Sequence, residues 1–339
     1  MFNQVDITLG DRLITQNDNM YAYRACMESI LNYSSDALVT QHSAGLFYKD
    51  TYAKFENTTL DGPNTGFVKR ASFSTGSREF DLLRRIHSDL FFQDKLIVNG
   101  IDLKIKLNRN KDACCLIAEG AEQYKLLIQS TSLYVKRVNV SPTVRLAHAE
   151  ALQLLNTKYA IEWVSMKVYS IPDGTRLTQQ QNVFLGKLSK LVFIVFVDNT
   201  AFSGVPTSNP FNFKHYGINY AALVHEGAVI PAKPYTPNFG SANFMREYLG
   251  LLSITGKHLP DLGLIASCEG YSAGYMLFAF DLSLDLEDGD HYSLLKNGNL
   301  KAEICFSAAL TVNVNMVVFG VFDSVIQVNH AQQILFDYL

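Results

Sequence analysis

Leu191-Val192-Phe193-Ile194-Val195-Phe196-Val197 and Met316-Val317-Val318-Phe319-Gly320-Val321-Phe322 are the two strongest apolar runs in this 339-residue chain. Each spans seven residues, far short of the roughly 20 needed to cross a bilayer. Short runs rich in Val, Ile and Phe read as strands. Around them, residues 161–171, 275–282, 300–307 and 324–328 read the same way. Residues 218–224 and 228–230 flank His225-Glu226-Gly227 as a short hairpin. Ser241 is placed to cap a helix with Phe244, Tyr248, Leu251 and Leu252 inward, stopped by Gly256. Strands at irregular spacing, with helices in the connections and no βαβ alternation, favour two β-sandwiches over a doubly wound sheet.

The first half carries the same theme. Val5, Ile7 and Leu9 alternate with polar residues, so the chain opens inside a strand, and Asn19 precedes a short helix carrying Tyr23, Met27, Ile30 and Leu31. Residues 50–78 read as a long surface loop with one strand near 67–73. Residues 96–98, Asn99-Gly100 and the alternating Ile101, Leu103, Ile105 and Leu107 predict a hairpin. Strands are also expected at 124–128 and 133–140. Ser141-Pro142 then starts a helix with an apolar stripe of Val144, Ala147, Ala151 and Leu155. The expected organisation is a first sandwich at 1–140, a connecting helix at 141–157 and a second sandwich at 158–339.

Composition agrees. Hydrophobic residues make up 48% and charged residues 18%, which suits a folded core and not a disordered chain. The 22 Phe, 17 Tyr and 23 Asn lean toward strands joined by long turns. A net charge of −3 supplies no global field toward nucleic acid or anionic lipid. The five cysteines are odd in number and include the adjacent pair Cys114-Cys115, which is neither a disulfide framework nor a zinc pattern. Reduced thiols in an intracellular setting are the expectation. The N-terminus lacks the basic and apolar regions of a signal peptide. On that ground Asn32-Tyr33-Ser34 and Asn57-Thr58-Thr59 are read as chance matches to the glycosylation pattern.

Few motifs carry chemistry. Gly270-Tyr271-Ser272-Ala273-Gly274 matches the nucleophile-elbow pattern, with Asp281 and His291 following in triad order. An elbow needs a strand before the serine and a helix after it, and here the following residues are strand-like. Asp281, Asp285, Glu287, Asp288, Asp290 and His291 form an acidic cluster without an EF-hand register, read as a solvated loop. His87 and Asp89, beside Arg84 and Arg85, are read as a charged face next to a core stripe. Lys54, Lys69, Arg70, Arg78, Arg84 and Arg85 are too sparse for a nucleic-acid patch. Phosphate-loop, dinucleotide and zinc signatures are missing from the sequence. No catalytic residue, cofactor or metal is assigned. The residues alone lead to a β-rich, two-domain protein.

Longer stretches go further. Residues 1–9 (MFNQVDITL), Tyr21-Ala22-Tyr23-Arg24-Ala25, Leu31-Asn32-Tyr33 and Ile86-His87-Ser88-Asp89-Leu90-Phe91 occur in order. Val138-Asn139-Val140-Ser141-Pro142, Leu146-Ala147-His148-Ala149 and Phe196-Val197-Asp198-Asn199 follow. The series ends with Asn209-Pro210-Phe211-Asn212-Phe213-Lys214-His215, residues 274–282 (GYMLFAFDL), 321–326 (VFDSVI) and Leu335-Phe336-Asp337-Tyr338. This ordered set resembles the hexon-type major capsid proteins of adintoviruses and Polinton (Maverick) elements, over essentially the whole chain.

The resemblance implies a mainly β protein of two tandem jelly-roll sandwiches with short helices in the connections. It implies homotrimers that form pseudo-hexagonal capsomers of an icosahedral shell, contacts to neighbouring capsomers and to a penton-type minor capsid protein, and no reaction centre. The expected location is the virion capsid, after synthesis in the cytoplasm and with assembly in the host nucleus. Family members carry first strands upstream of the stretch where this chain opens. The first half offers about six strands against the eight of a jelly roll, so its sandwich is expected to be incomplete. Phe202, Pro206, Asn209, Pro210, Phe211 and Phe213, in the loop at 199–216, are the expected subunit-interface residues. A loop folded back over its own sandwich is the alternative. A serine hydrolase using Ser272 and a domesticated β-sandwich binding module are the competing functions.

Overall fold

The computed structural model describes residues 1–119, 124–259, 263–283 and 297–336. In chain order the first half contains β1 (Phe2–Leu9), β2 (Arg12–Leu13), α1 (Tyr21–Asn32), α2 (Asp36–Val39), α3 (Thr65–Ser74), α4 (Asp89–Phe92), β3 (Leu103–Arg109) and α5 (Asp112–Cys115). Helix α6 (Pro142–Leu154) leads into β4 (Thr157–Ile171), β5 (Leu177–Gln180), β6 (Leu191–Asp198), α7 (Asn199–Phe202), β7 (Ile218–His225) and β8 (Ala228–Tyr235). The chain continues through α8 (Met245–Ile254), α9 (Cys268–Ser272), β9 (Phe278–Asp281), β10 (Leu300–Phe306), β11 (Val314–Val328) and β12 (Ile334–Leu335).

Among the described residues, nine strands of the second half make two facing antiparallel sheets. One has the order β4-β11-β6-β9, with β12 added to β11, and the other β5-β10-β7-β8. The chain passes repeatedly from one sheet to the other, which is jelly-roll wiring. Phe196 on β6 meets Phe306 on β10 across the gap, with ring centroids 6.3 Å apart. Every residue from Val192 to Val197 is buried, so both faces of β6 are covered. That explains a sequence with no alternation. Residues 316–322 and 324–328, expected as two strands, are parts of the single 15-residue β11, which pairs with β4 along its whole length. Asp323 and Ser324 are tolerated mid-strand because both are only half-buried.

The first half holds one three-stranded sheet, β2-β1-β3, among the described residues. Val5, Ile7 and Leu9 point inward from β1, and Met27 and Ile30 of α1 belong to the same core. Several expectations fail here. Residues 67–73 form helix α3, because the Asn64 side chain accepts the Phe67 N–H and caps it. The helix also passes close to the chain before it: a Cβ on Gly66 would stand 2.3 Å from the Lys49 carbonyl oxygen. Residues 96–98 do not pair with 103–109. Tyr159 of β4 holds them instead, accepting from the Val98 N–H at 3.0 Å and donating to the Leu96 carbonyl at 3.2 Å. β3 pairs with β1. Residues 124–128 and 133–140 are not strands, and α6 has no buried residue. Ser141 does cap α6, accepting from Val144 N–H at 3.4 Å with Pro142 in the first turn. The helix at 245–254 begins after Phe244 and not at Ser241.

Candidate functional site

The connection after β6 holds the expected interface residues. Phe202 and Phe211 flank the Tyr23 ring of α1, at 5.3 and 5.5 Å between centroids. Phe213 is fully buried and bridges to Gly274 and Tyr275. Asn209 is buried too. Its amide donates to Asp50 at 3.1 Å and to the Phe55 carbonyl at 3.4 Å, while its carbonyl oxygen accepts the Phe211 N–H at 2.9 Å. Pro206 and Pro210 are half-buried and remain at the surface. The three aromatics are thus covered largely by their own chain, and what this loop offers outward is its Val205–Pro206 tip and the rims of Phe202 and Phe211.

Gly274 sits where this loop, the 50–57 segment and the turn after α9 converge. Its φ of +119° lies outside the ordinary range of L residues, and a Cβ there would lie 2.1 Å from the Phe55 ring. The same convergence opens a cleft of about 600 Å³ whose lining includes Glu56, Asn212, Lys214, His215, Tyr216 and Ser272. Lys214 and Glu56 pair across it at 3.0 Å.

Ser272 closes α9, and the strand β9 comes after it, the reverse of an elbow. Its hydroxyl donates to the Glu269 carbonyl at 3.4 Å. Asp281 accepts from the Ser283 N–H and hydroxyl, at 2.8 and 2.6 Å. His291, with Asp285, Glu287, Asp288 and Asp290, lies outside the described residues. His215 shares the cleft with Ser272, but its Nδ1 accepts the Gly217 N–H at 2.9 Å and its ring stacks on Phe239 at 4.2 Å. Burial lowers its pKa. Among the described residues, no histidine is hydrogen-bonded to the Ser272 hydroxyl. No group of His, Cys, Asp and Glu there is placed to hold a metal, and no helix there is long and apolar enough to cross a membrane.

The feature that sequence reading missed is a buried charge network joining the halves. Arg24 of α1 forks onto both oxygens of Asp89 and reaches Glu28 at 2.8 Å, while His87 Nδ1 lies 2.6 Å from the other Glu28 oxygen. Asp89 opens α4, which packs against β4 of the second half, and the Val164 N–H there helps to hold its carboxyl down. His87 and Asp89 are therefore interior residues, not an exposed charged face. Burial pushes the Asp89 carboxyl up to about 6, with Glu28 adding to the rise against the pull of Arg24. Burial would also raise Glu28, but Arg24 and His87 outweigh it and hold that carboxyl below its usual range. The usable signal was the i,i+4 spacing of Arg24 and Glu28 on a helix face otherwise made of core residues.

Comparison with known proteins fits this architecture. The whole chain superposes on 83% of VP54 of PBCV-1, as fitted into a reconstruction of the virophage Sputnik, with a TM-score of 0.51 and 10% identity. The fold is a double jelly roll. A quasi-atomic description of the PBCV-1 virus capsid is matched over the whole chain and 83% of its own, with a TM-score of 0.48 and 9% identity. In sequence, an uncharacterised protein of Caenorhabditis elegans is 24% identical over 342 residues, covering 97% of this chain and 78% of its own length. No protein-family model matches the chain.

Proposed function

We propose that the chain is a structural capsid protein of the hexon type, similar to those of adintoviruses and Polinton elements. The observation that supports this most is the likeness to VP54, which extends over the entire double jelly roll and not over one sandwich. The physical fit is good. A shell subunit needs a rigid body, and the apolar core that runs through the chain supplies one. It also needs surface loops for contact between copies, and the outward tip of the 199–216 loop is one such surface. Three copies related by cyclic symmetry would form the capsomer, with neighbouring capsomers and a penton-type protein as further partners and the virion as location. The domain division carried with this reading is 1–140, 141–157 and 158–339. Light scattering and electron microscopy of the full chain test the function. Trimers, or larger particles with hexagonal outline, are expected, and a stable monomer at high concentration overturns it.

A further inference from the structure

We propose that the buried cluster of Arg24, Glu28, His87 and Asp89 is a proton-operated clasp: it binds one proton in mild acid and then holds α1 more tightly to the junction of α4 with β4. Nothing in this depends on the capsid reading. None of the four residues is more than 8% exposed, so their charges have to balance among themselves, with little help from water. Arg24 sits against both carboxylates, bonded to Glu28 and forked onto Asp89. One positive charge against two negative charges leaves −1, with the His87 ring neutral and 2.6 Å from Glu28. One further proton cancels the imbalance. Asp89 opens α4, and α4 packs on β4, so a change in that balance is felt where the first half meets the second.

The geometry places that proton on Asp89. Arg24 holds its two oxygens unequally, with Nη2 2.5 Å from Oδ1 and Nη1 3.3 Å from Oδ2. Oδ2 can therefore take a proton while the shorter bond stays intact. Glu28 is gripped by Arg24 at 2.8 Å and by His87 at 2.6 Å, which against its burial keep it ionised. Burial pushes the Asp89 carboxyl up from 3.8 to about 6, against the pull of Arg24 and with Glu28 adding to the rise. A carboxyl raised on folding favours the folded chain while protonated. Its contribution is fully present below about 3.8 and is lost as pH rises through about 6. Around the cluster, Arg84 is tied to the Ser29 hydroxyl at 2.8 Å, and the Tyr21 hydroxyl accepts the His87 N–H at 3.1 Å. Asp18, near enough to feel Arg24, is raised by burial and works in the same sense as Asp89. His42, on which Arg84 and His87 act, is lowered by burial and works in the opposite sense.

Denaturant titration of the full chain, with and without Asp89→Asn, tests this across mild acid. Asparagine keeps the size of the side chain and has no titrating proton, and the comparison cancels Asp18, His42 and every other group the two proteins share. The folding constant of the parent should gain about ten-fold on that of Asp89→Asn as pH falls from about 7.5 to about 5. Parallel profiles, or a parent that loses ground to the variant in acid, overturn the proposal. Glu28→Gln tests the charge count itself. It leaves His87 an acceptor and brings the sum to zero with Asp89 ionised, so the acid gain should shrink to less than about three-fold. An undiminished gain overturns the clasp, because the response would then belong to Asp89 alone and not to the shared charge. If neither variant folds, the carbon-13 resonance of the Asp89 carboxyl in the intact chain decides. A midpoint near 6 is expected, and one below about 4.5, in the range of an ordinary aspartate, overturns the proposal.

Discussion

Strand β6 and residues 133–140 make an instructive pair. One reads LVFIVFVD and the other LYVKRVNV, and both have the β-branched and aromatic content of strands. β6 is bonded on both sides, to β11 and β9, and is buried from Val192 to Val197. Among the described residues, 133–140 pair with no strand, and 133–139 are exposed. Strand propensity is therefore a statement about fit to a neighbour, and a run without a neighbour stays an extended segment. The interior of β6 is also where every substitution meets packed side chains, whereas a substitution at 133–139 meets solvent.

The comparison breaks most sharply if an acid is placed in each region. Phe196→Asp puts an unpaired carboxylate between the two sheets, and burial of such a charge costs far more than a domain's net stability. The chain should lose its cooperative unfolding transition, followed by circular dichroism. Val135→Asp in the exposed segment should move the midpoint by no more than about 0.5 kcal/mol. A folded Phe196→Asp protein would mean that the sandwich is not the stable core of the molecule.

Next in size is the charge network that holds the first half on the second. Arg24→Met leaves Glu28 and Asp89 buried without their cation, a loss of about 3–5 kcal/mol for a broken interior pair. The surface pair of Lys106 and Asp6, 4.0 Å apart with the lysine 74% exposed, should give less than about 1 kcal/mol when Lys106 is changed to Met. Denaturant titration of the two variants checks the contrast. Equal effects would show that the network carries no more than a surface pair.

How much of this was legible follows the same division. β4, β6, β10 and the β7–β8 hairpin stand where apolar patterning predicts, because each finds its partner within the second sandwich. β5 was missed, since its Leu-Thr-Gln-Gln sequence is that of an exposed edge and only its register with β10 makes it a strand. In the first half, Asn64 decides for helix over strand at 65–74 by a single side-chain cap, a local bond that a count of apolar residues does not see. Residues 96–98 were misplaced because the Tyr159 hydroxyl, 61 residues away from Val98 in sequence, takes the bonds expected of a hairpin. Phe213 and Asn209 looked like surface residues for a similar reason: their partners, Tyr275 and Asp50, lie far along the chain.

A smaller effect is read through pH. His42 is buried against Tyr33 and Phe47, at 4.4 and 5.4 Å between ring centroids, and its Nε2 has no hydrogen-bond partner among the described residues. Burial lowers its pKa to about 4, with Arg84 and His87 adding to the shift. The group is depressed in the folded state, so its contribution is present above the unfolded value of about 6.5 and is lost as pH falls toward 4. Asp89, raised by burial to about 6, works in the opposite sense over the same window, so the comparison isolates His42: the melting temperature of His42→Phe, which keeps a ring and removes the proton site, should rise relative to the parent as pH falls. A variant with the same acid slope as the parent would assign that slope to other groups.

The smallest change expected is at Ser272, and it bears on function more than on stability. The hydroxyl is half-exposed and makes a single long bond to Glu269, so Ser272→Ala should alter unfolding free energy by less than about 0.5 kcal/mol. Its neighbour Gly274 is the contrasting case. There a methyl group would enter the Phe55 ring, and Gly274→Ala should loosen the contact between the 50–57 segment and the second sandwich. If the cleft is only the meeting place of three loops, Ser272→Ala leaves melting temperature, assembly and any background ester hydrolysis unchanged, while Gly274→Ala lowers the first. Ester hydrolysis by the purified chain that disappears in Ser272→Ala would instead make His215 and Glu56, which line the same cleft, the groups to examine. It would also require the His215 ring to leave Phe239 and turn toward the serine, a movement visible as loss of their stacking.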